Sequence, residues 1–471
     1  RLFCFFNSTA PTETYTLILH DSLPCSSQAA SRQVKGTWPF VLYPFSGGGP
    51  RPKVGTGYGE AGVDALTSEL ALSTMSECRI STRRVDVPQE ETRYNRRPLP
   101  QELEPPQLDK LSELVEWVQS NRTAQQDRIH NYENVKFALE EMFKEVVLAA
   151  LDNQSELPQI SIISCHTGAI ANLRGAAFGH LVKEIREGNN PYLEIKEEHQ
   201  EEAFSRIEQL IEERNVTALD EYIDQLLRAG SLDQNKFLTY CKNSLTIIYG
   251  DAHPDLHAGT SKSGNAHGTS LAEVLLPKLS NLFPDLCKTL ADREDAFNPA
   301  RVLLFGTSSI DSAEQVIIDQ LVEKGFTHLP ASQCQEEEGL GKKLKDFLTR
   351  MEEEMKRGLP DCEPAKCKPV VFVETDVDVT RKRHCPSVAT PDGQLPLKVV
   401  TDAYLEALAD TKTFILSVAE IAYKNSLTKV VYDEERKADR KRPHDPTIAT
   451  ALHILAAGLP SDIAADLPPK N

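Results

Sequence analysis

The sequence predicts an open α/β fold with a mostly parallel sheet, and its apolar runs, the spacers between them and the way each run ends are the reasons. Short runs rich in β-branched residues recur: TWPFVLY from Thr37, PQISIIS from Pro158, LTIIY from Leu245, RVLLF from Arg301, PVVFV from Pro369 and TFILSV from Thr413. Unbroken apolar runs of this length belong to strands buried on both faces, as in a parallel sheet. Helical patterns stand between many of them, as parallel pairing requires a crossover. Several of the runs stop at chemistry-bearing residues, and loops after parallel strands gather at the carboxyl edge of such a sheet.

The richest ending follows Tyr249, where Gly250 closes the run and D-A-H-P-D begins. In extended chain, side chains at i, i+2 and i+4 share a face, so Asp251, His253 and Asp255 are expected to converge. Carboxylates with an imidazole suit Mn²⁺, Zn²⁺ or Fe²⁺ better than Ca²⁺ or copper. A solvated turn with a capping Asp is the plainer alternative, but such a turn has no need to alternate ligands directly after a buried strand. PVVFVETDVDV repeats the pattern: Asp376 and Asp378 are two apart, with Glu374 in phase. PQISIISCHTG ends its run at His166, which alone would read as an ordinary histidine at a strand end. Four aspartates and two histidines suffice for a pair of ions, which in two-metal sites lie about 3.5–4 Å apart.

These segments resemble the ureohydrolases, and arginase most closely. That family carries G-G-D-H-S, D-A-H-x-D followed by S-G-N-x-H-G, R-D-V-D-x-x-E, S-x-D-x-D leading to A-x-G-T-P-x-x-G-G-L, and a late E-V-N-P. This chain reads SCHTG, DAHPD with SGNAHG, SSIDSAE, ETDVD leading to SVATPDGQL, and EIAY, in the same order. Its opening, from Pro44, Phe45 and Ser46, is similar to the family's P-F-S start.

The resemblance implies a three-layer αβα architecture with a doubly wound sheet, and a hydrolase cleaving L-arginine to L-ornithine and urea. It implies two Mn²⁺ ions that activate a water, one held by His166, Asp251, Asp255 and Asp376, the other by Asp251, His253, Asp376 and Asp378. His267 would shuttle the proton to the leaving amine, and Glu420 would orient the guanidinium. Ser263 and Asn265 would bind an α-carboxylate, Asp311 and Glu314 an α-ammonium, with His257 among the substrate-binding residues in place of a family asparagine. A homo-oligomer is implied, a trimer by analogy. Other readings are an agmatinase, guanidinobutyrase or formiminoglutamase type, or a metal-binding relative with little turnover and a structural or regulatory role. Departures accumulate around the site: Cys165, His257, Ser308-Ser309, Arg381-Lys382 and Ala422-Tyr423 replace family residues.

A chain of 471 residues can bury a large core. Its net charge of -18 argues against nucleic acid or an anionic membrane as partner. Mean hydropathy is -0.37, and no apolar run approaches the roughly 20 residues of a membrane span. The ten cysteines lack CxxC spacing, which suggests reduced thiols and a cytoplasmic location, with an organelle left open because the chain begins at Arg1 rather than Met.

Residues 1–36 are expected to be a flexible extension, 37–460 the catalytic domain and 461–471 a tail. The resemblance places a helical insertion at about 175–240. Within it Phe204, Ile207, Leu210 and Ile211 form one helical stripe and Leu219, Tyr222, Ile223, Leu226 and Leu227 another, which reads as a surface hairpin. A sheet-covering helix is expected from Leu344 to Met355 and another in HDPTIATALHILAAGL, and the basic stretch Lys437–Arg442 is expected to be solvated or to contact another subunit.

Overall fold

The computed structural model describes residues 37–43, 63, 65–66, 79–84, 113, 116–117, 120–121, 132–152, 159–163, 167–188, 190–257, 266–275, 297–336, 339–363, 369–388, 392–408, 411, 413–421, 428–433, 438–443 and 446–458. The chain divides into Arg1–Lys35 and Gly36–Asn471. The expected extension at 1–36 and the tail at 461–471 lie outside the described residues.

Among the described residues, β1 (Thr37–Tyr43), β2 (Arg79–Arg84), β3 (Gln159–Ile163), β4 (Leu245–Gly250), β5 (Val302–Phe305), β6 (Thr327–Leu329), β7 (Val370–Asp376) and β8 (Thr413–Ala419) form an eight-stranded sheet. Their order is β2-β1-β3-β8-β7-β4-β5-β6, and every neighbouring pair is parallel. The central strands are buried throughout, as their unbroken apolar runs require. Residues alternate between the faces: Ile247, Tyr249, Leu304 and Phe372 enter one apolar cluster, Ile248, Leu303, Phe305 and Val373 the other.

Helices close both faces, which makes three layers. The first cluster is built with α1 (Tyr132–Asp152), α2 (Thr167–Glu187), α3 (Glu197–Glu212), α4 (Val216–Arg228), α5 (Gln234–Ser244), α6 (Ser270–Leu275) and α7 (Ser312–Glu323). The second is built with α8 (Ala331–Cys334), α9 (Gly339–Gly358), α10 (Leu397–Ala407) and α11 (Pro446–Gly458). Leu344, Phe347, Leu348, Met351 and Met355 form the buried face of α9, as their spacing predicts. No helix of the described residues is long and apolar enough to cross a membrane.

The structure locates several of the expected features. The stripes of α3 and α4 face inward, with Ile207, Leu210, Leu219 and Ile223 buried in the same cluster as Ile247 and Tyr249, while Glu201, Glu202, Glu208 and Glu221 stay exposed. Residue 175, the expected start of the insertion, lies inside the unbroken helix α2. Residues 438–442 of the basic stretch lie in β10 (Ala438–Pro443), which pairs antiparallel with β9 (Thr428–Asp433). Cys362 is disulfide-bonded, whereas Cys241, Cys334 and Cys385 are free and buried.

The connections define where a site can form. After β4 the chain runs to its neighbour β5 on one side, and after β7 to its neighbour β8 on the other, although β4 and β7 pair directly. Departures in opposite directions open a crevice at the carboxyl edge between these strands.

Arg301 anchors the opposite end. Its guanidinium is 1% exposed and donates to Leu245 O at 2.8 Å, Met351 O at 3.1 Å and Thr246 Oγ1 at 2.8 Å. One side chain therefore ties the start of β4 to α9, and burial lowers its pKa to about 10. Arg301→Met keeps the apolar stem but leaves those acceptors without their donor, which costs on the order of 3 kcal/mol or more. A denaturant titration is expected to show that loss, and an unchanged midpoint would mean that solvent or other donors replace the guanidinium.

Candidate metal centre

Asp251 directly follows β4, and its N–H continues the sheet by donating to Phe305 O at 3.0 Å. His253 N–H donates back to Asp251 Oδ1 at 2.7 Å, which turns the chain. Across the crevice, Asp376 ends β7 and caps the 3₁₀ turn Val377–Val379, accepting from the Asp378 N–H at 2.6 Å. The Asp378 carboxylate then reaches the first loop, accepting from the Ala252 N–H at 3.3 Å and lying 3.1 Å from His253 Nδ1.

Two donor groups result. Asp251, His253 and Asp378 can each place a ligand atom within 4.8 Å of the others, and so can Asp376, Asp378 and Glu420. Asp378 is common to both, so the groups are contiguous. Asp251, Asp376 and Asp378 are each at most 2% exposed. Buried like charges at this spacing are costly unless a cation sits among them, and mixed oxygen and nitrogen donors fit a divalent transition ion. Burial alone would disfavour a charged His253, but Asp251 and Asp378 outweigh it and hold its pKa above the ordinary value. Cys385 is buried near Asp376, Asp378 and Glu420, and burial pushes its thiol up to about 12.

The convergence arises from turns rather than strand alternation. Asp255 is not extended: its φ is 53°, its carboxylate accepts from the Tyr249 hydroxyl at 3.0 Å, and it is absent from both donor groups. Its carbonyl receives the Leu271 and Ala272 N–H groups at 3.1 Å, which fastens α6 to the site loop. Glu420, just past β8, has φ 54°. Left-handed backbone at a non-glycine residue is held only where the surroundings over-determine it. Glu374, in phase with Asp376 by sequence, is buried in β7 and lies outside the donor groups.

Other expected residues fall differently. His166, Ser263 and Asn265 lie outside the described residues. Residue 267 belongs to the 3₁₀ turn Ala266–Thr269, whose Gly268 carbonyl accepts the His257 N–H at 3.0 Å. Asp311 and Glu314 form a capping box on α7, with Asp311 Oδ1 receiving the N–H groups of Ala313 and Glu314 at 2.9 Å. Glu314 Oε1 also accepts the Leu256 N–H at 3.3 Å. His257 Nε2 stands 3.6 Å from Asp311 Oδ2 and 3.6 Å from Glu314 Oε1. Asp392, which the sequence does not single out, lies 3.5 Å from His253 Nε2; nothing in TPDGQL marks it, since only folding brings it there.

Residues 232–422 match the family model described as Arginase family. Over that stretch the chain resembles the arginase family. The matched stretch contains both donor groups. Among solved structures, the arginase of Bacillus caldovelox is 18% identical, with 90% of this chain and 98% of that one covered and a TM-score of 0.47. Entamoeba histolytica arginase in complex with L-ornithine is 14% identical over 90% and 98%, with a TM-score of 0.47. Trypanosoma cruzi formiminoglutamase with Mn²⁺ is 12% identical over 94% and 97%, with a TM-score of 0.46. No curated protein sequence matches.

Beside the donor groups, the Glu314 carboxyl also titrates away from its usual range. Burial raises the Glu314 carboxyl from 4.5 to about 7, while His257 and the Asp311 N–H oppose the shift. A pKa raised on folding contributes stability below about 4.5 that is lost as pH rises through about 7. In metal-free protein, the stability of the wild type relative to Glu314→Gln is therefore expected to fall by on the order of 2 kcal/mol between about pH 5 and 8. Denaturant titrations across that range check it, and a flat difference would show that Glu314 stays ionised.

Proposed function

We propose that the protein is a dinuclear manganese ureohydrolase that cleaves L-arginine to L-ornithine and urea. The observation that carries this reading is the pair of contiguous donor groups sharing Asp378, set in the crevice between β4 and β7 within the stretch that matches the arginase family. Asp251, His253, Asp376 and Asp378 would hold one ion, and Asp251, Asp376, His166 and Asp255 the other. Two bound Mn²⁺ would supply Lewis acidity and a water acidic enough to ionise near neutral pH.

The chain's own residues would bind and orient the substrate and move its proton. Glu420, held in a left-handed conformation beside Asp376 and Asp378, presents a carboxylate to a planar guanidinium. His267 would donate a proton to the leaving amine, an imidazole task near neutral pH. Ser263 and Asn265 would take the α-carboxylate, and Asp311 and Glu314 the α-ammonium.

One observation favours a second reading within the same chemistry, a guanidino or formimino substrate without an α-ammonium group. The Asp311 and Glu314 carboxylates already face the His257 imidazole on one side and backbone N–H groups on the other. They have less room for a ligand's ammonium than a free carboxylate pair would.

Urea release from L-arginine by Mn²⁺-loaded protein, beside agmatine, 4-guanidinobutyrate and formiminoglutamate, separates these readings. Turnover confined to arginine is expected; turnover of another substrate alone moves the function to the second reading, and bound metal without hydrolysis leaves a binding protein. His267→Asn is expected to cut turnover by about 10²–10⁴-fold with metal content unchanged. Full activity in that variant would remove His267 from the mechanism.

A further inference from the structure

The Ser308-Ser309 pair departs from the family pattern, and the fold gives it a structural use. The N–H groups of Ser308 and Ser309 both donate to Ala252 O, at 2.9 and 3.0 Å. The Ser308 hydroxyl donates to Asp392 O at 2.8 Å. One short segment after β5 therefore fixes two others, the loop carrying His253 and the loop carrying Asp392.

The Asp392 loop is held from its other end as well. Leu395 N–H donates to Val379 O at 3.3 Å and Arg381 N–H to Leu395 O at 2.9 Å. Gly393 packs so closely on the Asp378 and Thr380 carbonyls that a Cβ there would collide with backbone. Glycine is needed for that approach. Asp392 is thus placed by its backbone, although its side chain is 56% exposed.

His253 lies between three carboxylates. Its Nδ1 is 3.1 Å from Asp378 Oδ2 and 3.7 Å from Asp251 Oδ1, the donors it shares a candidate ion with, while Nε2 is 3.5 Å from Asp392 Oδ2. An imidazole that gives one nitrogen to a metal keeps its proton on the other, and an acceptor at that proton fixes the tautomer and the ring orientation.

We propose that Asp392 is a positioning residue for the metal centre: its carboxylate holds the His253 proton on Nε2 and so aims the Nδ1 lone pair between Asp251 and Asp378. The assignment rests on the metal-centre reading above. Asp392 belongs to neither donor group and acts only through His253. A contact at 3.5 Å is at the limit of direct hydrogen bonding, and a bridging water would serve the same end.

The test is calorimetric titration of metal-stripped, full-length protein with Mn²⁺ alone, for the wild type, Asp392→Ala, Asp392→Asn, His253→Ala and the double variant D392A/H253A. Asp392→Ala is expected to weaken one Mn²⁺ binding step by about 10–100-fold. Asp392→Asn, whose amide oxygen still accepts an N–H, is expected to recover most of that loss. In the His253→Ala background the Asp392→Ala change is expected to have no further effect, because the acceptor has lost its imidazole. Wild-type affinity in Asp392→Ala overturns the proposal, as does an equal loss with and without His253, which would make Asp392 a prop for its loop. If the wild type binds two Mn²⁺ and only the Asp392 effect is missing, the metal centre stands and this assignment falls. If the wild type binds none, both fall.

Discussion

Parallel pairing of β4 on β7 is the constraint on which the site depends. Their register runs from Leu245 opposite Val370 to Gly250 opposite Thr375, so both strands reach the carboxyl edge together. Ligands one or two residues beyond each strand must then meet. The neighbouring pairings extend the effect, since β7 pairs with β8 up to Asp376 opposite Ala419, and Glu420 comes next. Shifting any of these registers by one residue would exchange the faces of the strand and dismantle both the core and the donor groups.

The rest of the centre is made by short turns locked to one another through the backbone. Ala252 O receives Ser308 and Ser309, Asp255 O receives Leu271 and Ala272, and Gly306, with φ 91°, sits against Val379 where a side chain would collide. Carboxylates serve twice in this arrangement. Asp251 and Asp376 accept N–H groups of their own turns with one oxygen, and each also belongs to a donor group. Folding thus orients these side chains before any ligand arrives, which lowers the ordering cost of binding.

Much of this architecture is legible in the sequence, because apolar runs of four to seven residues mark buried strands and chain order puts the next few residues at their carboxyl ends. The strands leading to Asp251, Asp376 and Glu420 stand where their runs predict. Elements that escape such a reading lack that signal: RISTRR of β2 reads as polar, THL of β6 is too short to stand out, and the basic stretch in β10 has no apolar face. Periodicity makes Asp255 extended because it is blind to a left-handed residue. Asp392 and His253 are far apart in sequence, and no local pattern could couple them.

Helices α3 and α4 share one cluster with the strand that positions the site. Removed, they would expose Ile207, Leu210, Leu219 and Ile223 together with the apolar surface those residues cover. The segment is therefore part of the core and not a detachable module. The buried face of α4 and the strand that leads to Asp251 draw on one close-packed cluster, so a change of volume on that face is felt by the packing that supports the strand.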